Sequence, residues 1–417
     1  MNIDSLIFNA VFSPNESVRT TSRQQIRVLA QEKGIYSASI HDLYMAIGMG
    51  KVSGFTVPAM NIRGMTYDTC RVVFRNVINH SVGPFIFEIA RSEQGYTLQE
   101  PDEYVVVVFA AALKEGYTGP VFLQGDHYQF KATVFQTQPE QELENIKKLI
   151  AKSIHAGFYN IDIDASTLVD LSKNDIGEQQ KTNYEMTSVL TEYIRSTQPK
   201  NVPISIGGEI GHIGGKNSTV EDFIAFMEGY QNKITKYKSQ ISNGLQGMSK
   251  VSVQTGTSHG GVPLADGSMA KVNLDFEVLQ NIGKVARETY HIGGAVQHGA
   301  STLPDGLFNQ FPKVKTLEIH LATGFQNTLY DNLNSSLKTI MYDWIKGNLQ
   351  KERKAEWSDE QFMYKTRKKA LGQFKKELWL LSDGDKKPIT DALEKQFLML
   401  FAQLNVLNTK DIIQPYV

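Results

Sequence analysis

The sequence predicts an α/β chain built as a (β/α)8 TIM barrel, with an N-terminal extension and a helical C-terminal appendage. Three observations predict it. From about residue 40 to 335, apolar strand-like runs alternate with helix-like stretches. Several of these runs are continuously apolar rather than alternating, as in parallel strands covered on both faces. Residues able to carry chemistry stand at the ends of several runs, and a closed barrel gathers such ends at one mouth. An open doubly wound sheet is the runner-up, disfavoured because it would not make those ends converge.

Residues 1–40 form the extension, with an amphipathic helix expected across Ser17–Lys33. Barrel strands are expected at Phe55–Asn61, Pro84–Ile89, Pro120–Gln124, Asn160–Asp164, Pro203–Ile206, Lys250–Gln254, Gly294–Gln297 and Val314–His320. Between them, helices are expected at Tyr67–Asn79, Tyr104–Glu115, Pro139–His155, Asn183–Thr197, Val220–Lys238 and Phe276–Thr289. Pro139–His155 is the clearest, with Leu143, Ile146, Leu149, Ile150 and Ile154 near i, i+3, i+4 spacing. Pro139 suits a first helical position, and Ala156-Gly157 supplies a left-handed cap. The barrel is expected over 41–338 and the appendage over 339–417. The appendage carries a lysine-rich stretch, Lys365 to Lys376, read as a solvated helix face in preference to a contact with a phosphorylated ligand or partner.

At 417 residues and 41% hydrophobic, the chain can bury a large core. A net charge of −1 gives no field that would gather nucleic acid or an acidic membrane. The single cysteine, Cys70, cannot form an internal disulfide, which suits a reducing cytosol. Met1–Phe12 lacks a basic n-region, and no apolar run approaches the roughly 18 residues of a membrane span. A cytoplasmic protein is expected, with no nucleic-acid or membrane partner.

Three of nine histidines fall at strand ends beside glycine-rich turns: His127 in Gly125-Asp126-His127, His259 in Gly256–Gly260, and His298 in Gln297-His298-Gly299. Glu209 ends another run in Gly208-Glu209-Ile210-Gly211. Imidazoles and a carboxylate are ligands for zinc and related divalent ions, and a catalytic site keeps one position open. His41, His80, His155, His212 and His291 lack this context and read as structural or surface residues. Asp126, adjacent to a ligand, reads as the catalytic acid/base in preference to a helix cap. Asp164, at the end of Ile161-Asp162-Ile163-Asp164, is expected to hold a second cation, a monovalent ion among the candidates, or a substrate hydroxyl. Gly256–Gly261 and His298–Thr302 offer backbone N–H groups and hydroxyls that could cradle an anion, although neither is a P-loop.

Taken in order, these segments resemble the class II, zinc-dependent ketose-bisphosphate aldolases. Thr56-Val57-Pro58-Ala59-Met60-Asn61 is similar to the family's first-strand Pro-Ala-Phe-Asn segment, and Gln124-Gly125-Asp126-His127 to its Leu-Asp-His segment. Ile163-Asp164-Ala165-Ser166 resembles Ile-Asp-Gly-Ser, and the Glu209–Gly215 loop resembles Glu-Leu-Gly…Gly-Gly. Gly256–Gly260 and Gln297–Ser301 match the two other zinc-histidine segments.

The resemblance implies that His127, Glu209, His259, His298 and Asp164 hold metal and that Asp126 takes the C4 hydroxyl proton in retro-aldol cleavage. It implies a sugar or sugar-phosphate substrate met by Asn61, Gly260, Gly299, Ser301 and Thr323. A homo-oligomer is expected. The chain departs from the family pattern in three places. The acidic loop after Gly-Gly reads Lys216-Asn217-Ser218-Thr219, and the phosphate-contacting lysine is replaced by Gly261-Val262-Pro263. The last strand reads Glu318-Ile319-His320-Leu321-Ala322-Thr323-Gly324, adding an anion, Glu318, to the expected phosphate site. These departures suit a non-phosphorylated or differently charged sugar such as a hexuronate. Epimerisation, as in tagaturonate epimerases, is the alternative reaction. A non-catalytic aldolase subunit is disfavoured because the histidines and Glu209 are all present.

Overall fold

A computed structural model describes residues 2–211, 216–238, 246–256, 264 and 274–417. Its single sheet contains β1 (Ile35–Ala38), β2 (Val57–Asn61), β3 (Ile86–Ala90), β4 (Gly119–Gln129), β5 (Asn160–Asp164), β6 (Ser205–Glu209), β7 (Lys250–Val253), β8 (Ala295–Gln297) and β9 (Glu318–Leu321). Strands β2 to β9 pair in sequence, all parallel, and β9 returns to β2, closing the eight-stranded barrel. The intervening chain is long enough for the helical crossovers that parallel pairing needs. Among these, Pro139–Ala156 turns Ile146, Ile150 and Ile154 inward and ends on Gly157 at φ 110°.

The extension is more than one helix. Helices Ile3–Phe12 and Glu16–Glu32 lead into β1, a strand absent from the sequence reading. Strand β1 pairs with the first half of β4, Ile35 to Gly119 through Ala38 to Phe122, and β5 takes over from Gln124. Asn160 stitches the handover: its Nδ2 donates to the Ala38 and Leu123 carbonyls at 3.2 and 3.0 Å, and its Oδ1 accepts from Ile40 N–H at 2.9 Å. Arg23 and Arg27 tie the extension to Asp102 of helix Pro101–Glu115 at 2.9 and 2.7 Å.

Most strand boundaries shift by up to three residues from expectation, and two differ by more. The strand expected over Pro120–Gln124 runs on to Gln129. The one expected over Val314–His320 starts only at Glu318, because Gln310–Lys313 is a helical turn and Lys315 takes a left-handed φ of 56°.

After β9, helix Thr323–Asn332 leads into the helical C-terminal region, whose longest member is Asp383–Gln403. Phe397 of that helix packs on Phe325, with ring centroids 4.7 Å apart. The chain then returns to the barrel's base, where Thr56 N–H donates to the Leu404 carbonyl at 3.0 Å. No helix among the described residues is long and apolar enough to cross a membrane.

Candidate active site

Strand neighbours point to opposite faces, so consecutive residues do not ordinarily share one site. Asp126 and His127 do, because β4 bulges there. Gly125 faces Ile161 and Tyr128 faces Ile163, so two residues of β4 oppose one of β5. His127 takes φ 42°, a left-handed conformation uncommon for a residue with a Cβ and typical of functional positions. Gly125 makes room for the bulge, since a Cβ there would overlap the Tyr128 ring.

The bulge opens on a cavity of about 480 Å³ at the carboxyl ends of the strands. Asn61, Asp126, His127, Glu209, His298, Gly299, Ser301, His320 and Thr323 all line it. His127 Nδ1 lies 3.1 Å from Glu209 Oε2, and the His298 ring lies tilted beside His127 with centroids 4.1 Å apart. His298 Nε2 is 2.8 Å from the Ser252 hydroxyl, which fixes the ring. His127, Glu209 and His298 offer ligand atoms within 4.8 Å of one another. Two imidazoles and a carboxylate so grouped fit zinc or a related divalent ion.

Asp126 is buried on the cavity floor. Asn61 Nδ2 donates to its Oδ2 at 3.0 Å, and its Oδ1 lies 3.2 Å from His320 Nδ1 without a well-formed hydrogen bond. Burial alone would raise its pKa, but His127 and His320 outweigh it and hold the carboxyl well below the usual range. The reciprocal holds for His127: burial pulls its pKa down, and Asp126 and Glu209 push it well up. Burial, with the Asp164 charge adding, lifts Glu209 to about 8.

Asp164, expected to hold a cation or a substrate hydroxyl, is met by protein groups on both oxygens. One oxygen meets His127 Nδ1 at 3.0 Å and Gln129 Nε2 at 2.6 Å. The other accepts from Ser166 N–H at 3.1 Å and its hydroxyl at 2.7 Å. With both oxygens engaged, it orients His127. The expected substrate contacts also have protein partners. Asn61 holds Asp126, the Ser301 hydroxyl accepts from Thr323 N–H at 3.1 Å, and the Thr323 hydroxyl accepts from Arg63 at 3.2 Å. Gly299 sits at φ 71°. His259 and Gly260 lie outside the described residues, as does His212.

Sequence reasoning missed His320. Its ring lies tilted against His298, with centroids 4.0 Å apart, and its Nε2 lies 2.7 Å from Glu318. The available signal was alternation: Glu318 and His320 share a strand face, as Asp162 and Asp164 do. Glu318 is therefore no part of a rim anion site. It is fully buried in the barrel, where Lys250 Nζ meets it at 2.6 Å and the Tyr44 hydroxyl donates to it. Lys250 also reaches Asp162 at 2.9 Å and Gln124 at 2.7 Å, and Gln124 in turn donates to Glu88 at 2.8 Å. Nor is the lysine-rich stretch only a solvated face: Lys368 lines the cavity.

The sequence model of the family described as "Fructose-bisphosphate aldolase class-II" matches residues 47–378. The chain belongs to that family. No curated protein matches it in sequence. Among solved structures it is similar to the YdjI aldolase from Escherichia coli K12, at TM-score 0.52 and 13% identity, covering 90% of this chain and 99% of that one. Fructose-bisphosphate aldolase from Campylobacter jejuni gives TM-score 0.52 and 16% identity, covering 90% and 97%. The fructuronate-tagaturonate epimerase UxaE from Cohnella laeviribosi gives 0.62 and 12%, covering 92% and 86%. At these identities the likeness is one of fold.

Proposed function

We propose that this family member is a metal-dependent lyase that reversibly cleaves a ketose, or a related sugar acid, by a retro-aldol reaction. The observation that carries the reading is the Asp126 carboxylate, fixed by Asn61 on the floor of a cavity whose wall presents His127, Glu209 and His298. A divalent ion such as zinc, held by these three and by His259, would supply Lewis acidity at the ketose carbonyl.

Asp126, ionised at neutral pH, accepts the proton of the C4 hydroxyl. The C4 oxygen becomes a carbonyl, the C3–C4 bond breaks, and its electron pair moves into the C2–C3 fragment as an enediolate. Protonation of C3 releases the second product. Asn61 keeps one Asp126 oxygen engaged so that the other faces the substrate, and Asp164 fixes the His127 ring. Gly299, Ser301 and Thr323, which line the cavity, serve as substrate-binding positions.

Asp126→Asn should abolish cleavage while the purified protein keeps about one divalent ion per chain. Retained turnover would overturn the assignment. Epimerisation is the second reading, favoured by His320 lying 3.2 Å from Asp126, because inversion at a carbon calls for two proton-handling groups. NMR of a ketose and ketouronate panel separates them: trioses mark cleavage, and a stereoisomer without cleavage marks epimerisation.

A further inference from the structure

Lys368 is a lysine without an anion. Two lysines near it in the chain have carboxylate partners: Lys369 pairs with Glu352, and Lys375 with Glu103. Among the described residues Lys368 forms no such pair. Its ammonium instead lies over the Tyr96 ring, 5.5 Å from the centroid, on the wall of the cavity that holds Asp126. Burial, and then the charge of Arg63, depresses its pKa. Four cationic side chains line that cavity, Arg63, Arg91, Lys131 and Lys368, and a partly buried cation is costly unless an anion meets it.

Arg63 follows β2 and lines the same cavity. Its guanidinium pairs with Glu93 at 2.6 Å and extends Nη1 to Thr323 and Gln326 at 3.2 and 3.3 Å. Glu93 offsets that charge and Glu142 offsets that of Arg91, at 2.5 Å, and Lys131 is exposed to solvent, so the partly buried ammonium of Lys368 is the surplus. The segment carrying Lys368 is rigidly placed. Arg367 is sandwiched by Tyr330 and Tyr364, at 5.0 and 4.7 Å from their centroids, and its carbonyl accepts from the Tyr330 hydroxyl at 2.7 Å. Gly372 lies so close to the Tyr96 carbonyl that an added Cβ would overlap it.

We propose that Lys368, backed by Arg63, binds a terminal anionic group of the substrate, a carboxylate or a phosphate. The C-terminal region thereby supplies the cation that Gly261-Val262-Pro263 lacks. The inference rests on the proposed ketose reading for its ligand class. A compact ammonium suits either anion without demanding the planar geometry of a guanidinium.

The test is titration calorimetry of the metal-loaded protein with fructose 6-phosphate, fructuronate and fructose, with NMR of each mixture alongside to read turnover separately from binding. Wild-type protein should bind one or both anions more tightly than fructose, and the tighter one identifies the group. Lys368→Met should shrink that preference by about ten- to a hundredfold, the value of one charge-assisted contact. Lys368→Gln should do the same, and Lys368→Arg should restore part of it. Lys365→Met, which removes a lysine lying over Trp357, should leave the preference intact. An undiminished preference in both neutral variants overturns the proposal, as does wild-type protein that binds fructose as well as the anions. A wild-type protein that shows the preference yet processes none of the three sugars counts against the lyase reading and leaves the anion site standing.

Discussion

His41 starts helix His41–Gly48 with its ring buried and its Nδ1 without a hydrogen-bond partner among the described residues. Burial, with Arg195 adding, lowers its pKa from 6.5 to about 3. The unfolded chain takes up this proton as pH falls through 6.5, and the folded chain does not until about 3. Stability present above 6.5 is therefore lost as pH falls through that window, by about 1.4 kcal/mol per pH unit for one proton. His41→Gln should flatten the acid limb of unfolding free energy against pH by that one-proton slope. An unchanged slope would refute the burial argument. Single residues were legible where local context marked them. His127 and His298 follow apolar runs and neighbour glycines. His320 is followed by Leu321 and Ala322 rather than glycine, so its one local mark is alternation with Glu318, and barrel closure is what brings it to Asp126.

The bulge in β4 is where an element turns sequence into chemistry. Gly125→Ala would press a methyl against Tyr128, which is fully buried and bonded through its hydroxyl to Ser153 at 2.5 Å. Overpacking of this kind typically costs about 1–3 kcal/mol. The expected outcome is a lower unfolding temperature together with weaker retention of a divalent ion, because the bulge aims His127. A variant that melts lower yet binds the ion as wild type would show that the bulge can be repacked. Long crossover helices and continuous apolar strands were legible because periodicity accumulates over their length. Four-residue β1 was not, since Ile35-Tyr36-Ser37-Ala38 is too short for a period and gains its place only by pairing with β4. The approach of Lys368 to the cavity was equally illegible, because it depends on a C-terminal segment packing over Tyr96.

At the scale of the whole molecule, barrel closure follows from the order of the strands, but what fills the barrel does not. Such interiors are usually packed with branched aliphatic side chains. Here Lys250, at 0% exposure, is surrounded by Asp162, Glu318 and Gln124, with Glu88 and His320 beside them. Removing one partner of a buried ion pair leaves an uncompensated charge, at about 3–5 kcal/mol. Lys250→Met should destabilise the protein by that amount in denaturant unfolding. The Lys250→Met, Glu318→Gln double variant should fall short of the sum of the two single effects, since the residues share one network. Strict additivity would mean that they do not act together.

This charged filling lies directly beneath Asp126, so its composition sets the field in which the floor carboxylate works. A lineage cannot exchange one member at leisure: losing Lys250 strands two carboxylates, and losing Glu318 takes from a lysine and a histidine the nearest carboxylate of each. Positions 88, 124, 162, 250, 318 and 320 should therefore be inherited as a block, varying in concert across relatives or not at all, whereas the outer helices drift freely. A descendant adapting to a new sugar would have to alter the rim and leave this inner layer as its ancestor had it.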